Sequence, residues 1–96
     1  MIVNKQTFSE ISVPTYILEE EALRRNLTLI SHVAKESGAE IILAFKAYAL
    51  WKTFPIFRDY ISSTTASSLN EARLGFEEFG APTHTYSPAY IDSEIE

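Results

Sequence analysis

Ala39-Glu-Ile-Ile-Leu-Ala-Phe-Lys-Ala-Tyr-Ala-Leu50 is the stretch on which the fold turns: positions 41 to 45 are all apolar, and the next residue is a lone charge, Lys46. A strand with one wet face alternates, whereas a strand that is apolar throughout suits a parallel sheet covered on both sides. The stretch therefore predicts a buried parallel strand with Lys46 at its carboxyl end. An ammonium there is costly to desolvate, so it either snorkels to water or has its pKa lowered. In the second case it is a nucleophilic amine able to condense with a carbonyl. Spacing alone favours the first reading, a strand-end lysine reaching solvent.

On the N-terminal side, Val13-Pro-Thr-Tyr-Ile-Leu18 reads as a strand, with Pro14 near its start where a missing N–H does least harm. A helix follows. Glu19, Glu20 and Glu21 lie at its positive end and Lys35 near its negative end, while Leu23, Leu27, Ile30 and Ala34 form one apolar stripe and Gly38 ends it. On the C-terminal side, Leu50, Phe54, Phe57 and Ile61 share a helical face that Pro55 must break, kink, or open as the first turn of a shorter helix. Ser62-Ser-Thr-Thr-Ala66 reads as a short strand, and Ser68-Leu-Asn-Glu71 fits a capping box. The helix after it should bury Leu69, Ala72, Phe76 and Phe79 and stop at Gly80 and Pro82. A strand Thr83-His-Thr-Tyr-Ser87 then leads through Pro88 to Asp92-Ser-Glu-Ile-Glu96, the acidic opening of another helix.

This alternation of strand and helix is that of a parallel α/β sheet or barrel. An eight-stranded barrel takes about 200 residues or more. The 96 residues supply roughly three βα units and an N-terminal strand, so the expectation is an incomplete (β/α)8 TIM-type barrel, with an intact small three-layer sandwich as the alternative.

Composition narrows the function classes. With 46% hydrophobic and 22% charged residues the chain is globular. Its net charge of -5, with no basic cluster beyond Arg24-Arg25, argues against nucleic acid as a partner. There is no cysteine, hence no disulfide or thiolate site, and His32 and His84 have no metal-ligand spacing, so no metal is expected. No segment approaches the ~18 apolar residues of a membrane span. The opening Met1-Ile-Val-Asn-Lys-Gln6 leads into no signal-peptide core. A soluble, cytoplasmic protein is the expectation.

Four stretches in order carry a resemblance: Val13-Pro-Thr-Tyr16, Leu43-Ala-Phe-Lys-Ala-Tyr-Ala-Leu-Trp51, Thr64-Thr-Ala-Ser-Ser-Leu-Asn-Glu-Ala-Arg-Leu-Gly75 and His84-Thr-Tyr-Ser-Pro-Ala89. Together they resemble the opening of the carboxynorspermidine/carboxyspermidine decarboxylase family, within the alanine racemase, ornithine and diaminopimelate decarboxylase group. The resemblance implies that residues 1–96 are the N-terminal part of a barrel domain that binds pyridoxal 5'-phosphate, with the remaining barrel and a C-terminal β domain outside them. It implies that Lys46 carries the cofactor covalently. It further implies a carboxy-lyase of polyamine biosynthesis, homodimeric when full length, that turns a carboxylated polyamine into norspermidine or spermidine. Ala44 matches a small position facing the cofactor ring, and Thr65 stands where ornithine decarboxylases place an acidic residue, which suggests a hydroxyl contact. Ser67 and Ser68 point to the same rim, although capping accounts for Ser68 and for Glu71. Tyr48 and Trp51 either shape the pocket near Lys46 or pack the following helix. With glycine only at 38, 75 and 80, no glycine-rich phosphate cradle is expected within these residues, so the 96-residue chain alone should be inactive. Two other readings stay open: a non-enzymatic α/β module that binds the cofactor or a partner, and a decarboxylase or racemase of the same fold acting on diaminopimelate, ornithine or alanine.

Overall fold

The computed structural model describes residues 2–3 and 8–96. Met1-Ile-Val-Asn-Lys-Gln6, read above as leading into no signal-peptide core, lies outside the described residues apart from Ile2 and Val3. In chain order the elements are β1 (Ile2–Val3), β2 (Leu18–Glu19), α1 (Glu20–Ser37), β3 (Leu43–Ala44), α2 (Phe54–Arg58), β4 (Thr64–Ala66), α3 (Leu69–Leu74), β5 (Thr83–Thr85) and α4 (Asp92–Ile95). Short 3-10 turns cover Phe8–Glu10 and Trp51–Thr53. Strands β3, β4 and β5 form a parallel sheet in that order, and β1 pairs with β2, also in parallel. Sequential parallel strands joined through helices make this an α/β chain. None of the described helices is long and apolar enough to cross a membrane.

α1 forms where the charge pattern and its stop signal place it. Glu20 and Glu21 sit in the first turn, Lys35 in the last, and Gly38 closes the helix at φ 71°, a left-handed conformation that favours glycine. Of its expected stripe Leu27 is buried, Leu23 and Ala34 are half-buried, and Ile30 is exposed. The strand expected over residues 13–18 shrinks to Leu18–Glu19. Pro14 has no N–H to give a ladder, and the Thr15 hydroxyl turns back to donate to the Val13 carbonyl at 2.8 Å, a local bond that competes with strand pairing.

Among the described residues the sheet is covered on one face. Leu43, Phe45, Thr64 and Ala66 are buried against α2 and the helical segment after β4, whereas Ala44 and Thr65 on the opposite face are half-exposed and His84 is exposed. The apolar run at 41–45 thus supplies a parallel strand, but Ile41 remains 37% exposed and only alternate residues reach the core. That core is aromatic at its centre: the Phe54 ring lies 5.4 Å from Phe45 and 5.3 Å from Phe79, in tilted pairs. Pro55 stands in the first turn of α2, where its missing N–H is harmless, so the helix begins too late to include Leu50, which is exposed.

The helix after β4 departs from the expected stripe. Phe79 is fully buried, yet Phe76 is 80% exposed and Leu69 is also exposed. The winding changes at Gly75–Phe79, where the helix becomes π and Gly80 N–H donates to Gly75 C=O at 2.9 Å. Leu69 and Phe76, seven residues apart, share the exposed side, and the side turned to the core carries Ala72, Gly75 and Phe79. Gly75 permits the close approach beneath it: a Cβ there would collide with Thr83 Oγ1 and press on Thr64 Oγ1, the two hydroxyls that bond each other at 2.8 Å. Gly80, at φ 72°, ends the segment.

Candidate active site

Parallel strands put all their carboxyl ends on one rim, and the βα loops that leave them can meet there. Lys46 stands two residues beyond β3, Ser67 and Ser68 follow β4, and Tyr86 and Ser87 follow β5. Phe45, just before the lysine, is buried with its ring against Phe54, which anchors the backbone from inside. Just after it, Ala47 N–H and Tyr48 N–H both donate to Ala44 C=O, at 3.0 and 3.1 Å, folding the loop into a tight turn. The Lys46 side chain itself is exposed. Within this chain the solvent-reaching alternative describes its surroundings.

Register brings two of the expected positions side by side. Ala44 pairs with Thr65, and Thr65 pairs with His84, so the three form one row across the sheet on the face the helices leave open. Ala44 and Thr65 are small, and the one large side chain of the row, His84, stands two strands away from the lysine-bearing strand end. Sequence reasoning missed His84 as a member of this row. The only available signal was its place as the second residue of a short strand, and that says nothing until register is known. Ser67 is half-buried at the end of β4.

Ser68 caps α3: its Oγ accepts from Glu71 N–H at 3.2 Å. The reciprocal half of the capping box is not made. Glu71 Oε1 is instead buried and has no hydrogen-bond partner among the described residues. Ser87 donates to Ala89 C=O at 2.9 Å, a turn contact. Tyr48 is half-buried, its ring 4.7 Å from Phe57 of α2. Trp51 does not join the core; it is 47% exposed, with Lys52 Nζ 5.5 Å from its ring centroid. The 3-10 turn it occupies precedes the buried face of α2, which begins at Thr53 and Phe54.

An open groove of about 560 Å³ lies elsewhere, lined by Ala72, Phe76, Gly80, Ala81, Pro82, Thr83 and Thr85. It includes none of Lys46, Ala44, Thr65 or Ser67. A groove of that size without convergent polar groups has the volume of a ligand site but little of its chemistry.

The fold and rim define the class: a parallel α/β chain with an exposed lysine at the carboxyl end of a sheet strand. No protein-family model matches it. Whole-chain comparison is more specific and bears out the resemblance read from the motifs. The chain is 45% identical over 86 residues to a carboxynorspermidine/carboxyspermidine decarboxylase of Herminiimonas arsenicoxydans, covering 90% of this chain and 24% of that protein. It is 40% identical over 88 residues to the enzyme of the same name from Campylobacter jejuni (92% and 23%). A carboxyaminopropylagmatine decarboxylase of Synechocystis is 39% identical over 94 residues (98% and 24%). The crystal structure of Campylobacter jejuni carboxynorspermidine decarboxylase complexed with norspermidine superposes with a TM-score of 0.85 at 41% identity, over 88% of this chain and 23% of that one. The chain therefore spans about a quarter of the length of the curated relatives it matches.

Proposed function

We propose that this chain supplies the attachment lysine, Lys46, of a decarboxylase that depends on pyridoxal 5'-phosphate and acts on a carboxylated polyamine. Residues 1–96 would form the N-terminal portion of its barrel domain, in a cytoplasmic homodimer. The observation that carries the reading is the position of Lys46 at the carboxyl end of the first strand of the parallel sheet, within a chain 39–45% identical to decarboxylases of this kind. The substrate class is a carboxylated aminopropyl amine, with carboxynorspermidine and carboxyspermidine first and carboxyaminopropylagmatine as the related case that the Synechocystis relative's name suggests.

The residues present fit one end of the cofactor. An exposed amine on an anchored backbone can reach a carbonyl, and the small Ala44 and Thr65 leave room on the open face. They do not fit its phosphate. Gly38 and Gly80 are helix C-caps, and Gly75 is spent on the contact with Thr83 and Thr64, so no glycine here forms a cradle of N–H groups. When bound, the cofactor supplies an electron sink for the pair left on carbon as CO₂ departs. Lys46 would hold the cofactor, and its amine, when not so engaged, could accept or return a proton. Thr65 and Ser67 offer hydroxyl contacts at the rim.

Borohydride reduction of the full-length protein in the presence of cofactor, followed by peptide mass mapping, tests the reading. A reduced adduct on Lys46 is expected. An adduct on another lysine, or none, sinks the assignment, and so does unchanged CO₂ release by a Lys46→Ala variant supplied with any of the three substrates.

A further inference from the structure

We infer that Tyr48 and Thr53 are positioning residues for Lys46: a relay of two hydroxyls locks the loop that carries the lysine onto the 3-10 turn that leads into α2. This rests on the reading of Lys46 as the attachment lysine.

The loop over residues 45–50 is held at both ends. At its start Ala44 C=O takes the N–H groups of Ala47 and Tyr48, and at its end Leu50 C=O takes Thr53 N–H at 3.0 Å. Thr53 is 2% exposed, so its hydroxyl has to find partners inside the protein. It finds two, Leu50 C=O at 2.7 Å and Tyr48 Oη at 2.7 Å. A carbonyl can only accept, so the single Thr53 proton goes to Leu50 and the Tyr48 hydroxyl must donate to Thr53. The bonds run one way, from Tyr48 O–H to Thr53 O–H to Leu50 C=O, an arrangement in which each bond polarises the next. The Tyr48 ring, 4.7 Å from Phe57, fixes the phenol laterally. Lys46 thus lies between two clamps, the buried Phe45 ring on one side and Tyr48 two residues on at the other. An exposed, flexible side chain gains a defined reach only from such a backbone. Misplacement of a reacting group by about 1 Å can cost as much as 100-fold in rate.

The test uses the full-length protein and compares Tyr48→Phe and Thr53→Val with Thr53→Ser, which keeps the hydroxyl. Two quantities are read: hydrogen exchange at the Ala47 and Tyr48 amides, and the rate at which pyridoxal phosphate becomes borohydride-trappable on Lys46. Tyr48→Phe and Thr53→Val should speed the exchange and slow the labelling about tenfold, with the half-saturating cofactor concentration unchanged, and Thr53→Ser should restore both. Faster exchange with unchanged labelling would make the relay merely structural and overturn the proposal, as would unchanged exchange. If Tyr48→Phe does not fold, the Thr53→Val and Thr53→Ser pair decides by the same criteria. A wild-type protein that labels at no lysine, or at another, overturns the reading of Lys46 and this inference with it; wild-type and variant labelling at equal rates overturns only the inference.

Discussion

The two helices that flank β3 make opposite bargains with the core. α1 runs 18 residues with well-placed end charges and a glycine stop, yet Leu27 is its one fully buried side chain and Leu29, Ile30 and Val33 face solvent. α2 is five residues long, begins with a proline in its first turn, and buries Phe54, Ile56 and Phe57. A five-residue helix of Phe, Ile and Pro has no stability of its own in water, because nucleation costs more than so few bonds return. Tertiary burial holds α2, whereas local signals, the buried Leu27 and the half-buried Leu23 hold α1. The pairing of Arg24 with Asp59 at 3.0 Å ties α1 to the end of α2 from outside.

Four substitutions probe this contrast, beginning with the largest effect. Phe54→Ala removes the ring shared by two aromatic pairs and should cost about 3–5 kcal/mol, read from the denaturant midpoint. Leu27→Ala should cost less; a larger loss there would reverse the contrast. Gly75→Ala forces a methyl against Thr83 Oγ1 and should cost about 1–3 kcal/mol. Adding Thr83→Ala should recover part of that loss, and strict additivity would show that the close approach is not the reason for the glycine. Asp59→Asn should have the smallest effect. The Arg24 guanidinium is held above its ordinary range chiefly by Asp59, then by Tyr60 and Glu20. The pair is solvent-exposed, so the change in midpoint should be small at low ionic strength and vanish near 1 M salt. A loss that persists in salt would mean that packing is at stake, not charge.

Much of this was legible from residues. Gly38 and Gly80 end helices at positive φ, Pro55 sits in a first turn, and Ser68 caps α3, each because one residue type suits one backbone need. The strand over 13–18 is shorter than its β-propensity suggests because Pro14 has no N–H to give and the Thr15 hydroxyl bonds back to Val13, and the stripe through Phe76 fails because the buried side of the helix runs through Ala72, Gly75 and Phe79 instead. The inward turn of Glu71 Oε1 was equally hidden, since a capping box reads the same in sequence whether one bond forms or two.

The alternation of strand and helix, the parallel sheet, the helix stops and the place of Lys46 just beyond an apolar strand can all be read from the residues alone. These follow from short-range rules of backbone conformation and from hydrophobic pattern. Long-range packing sets the rest: among the described residues one face of the sheet is covered, Ala44, Thr65 and His84 share a row, and Tyr48 gives its proton to Thr53. Register and hydroxyl partners depend on which distant residues arrive, and a linear pattern carries no coordinate for that.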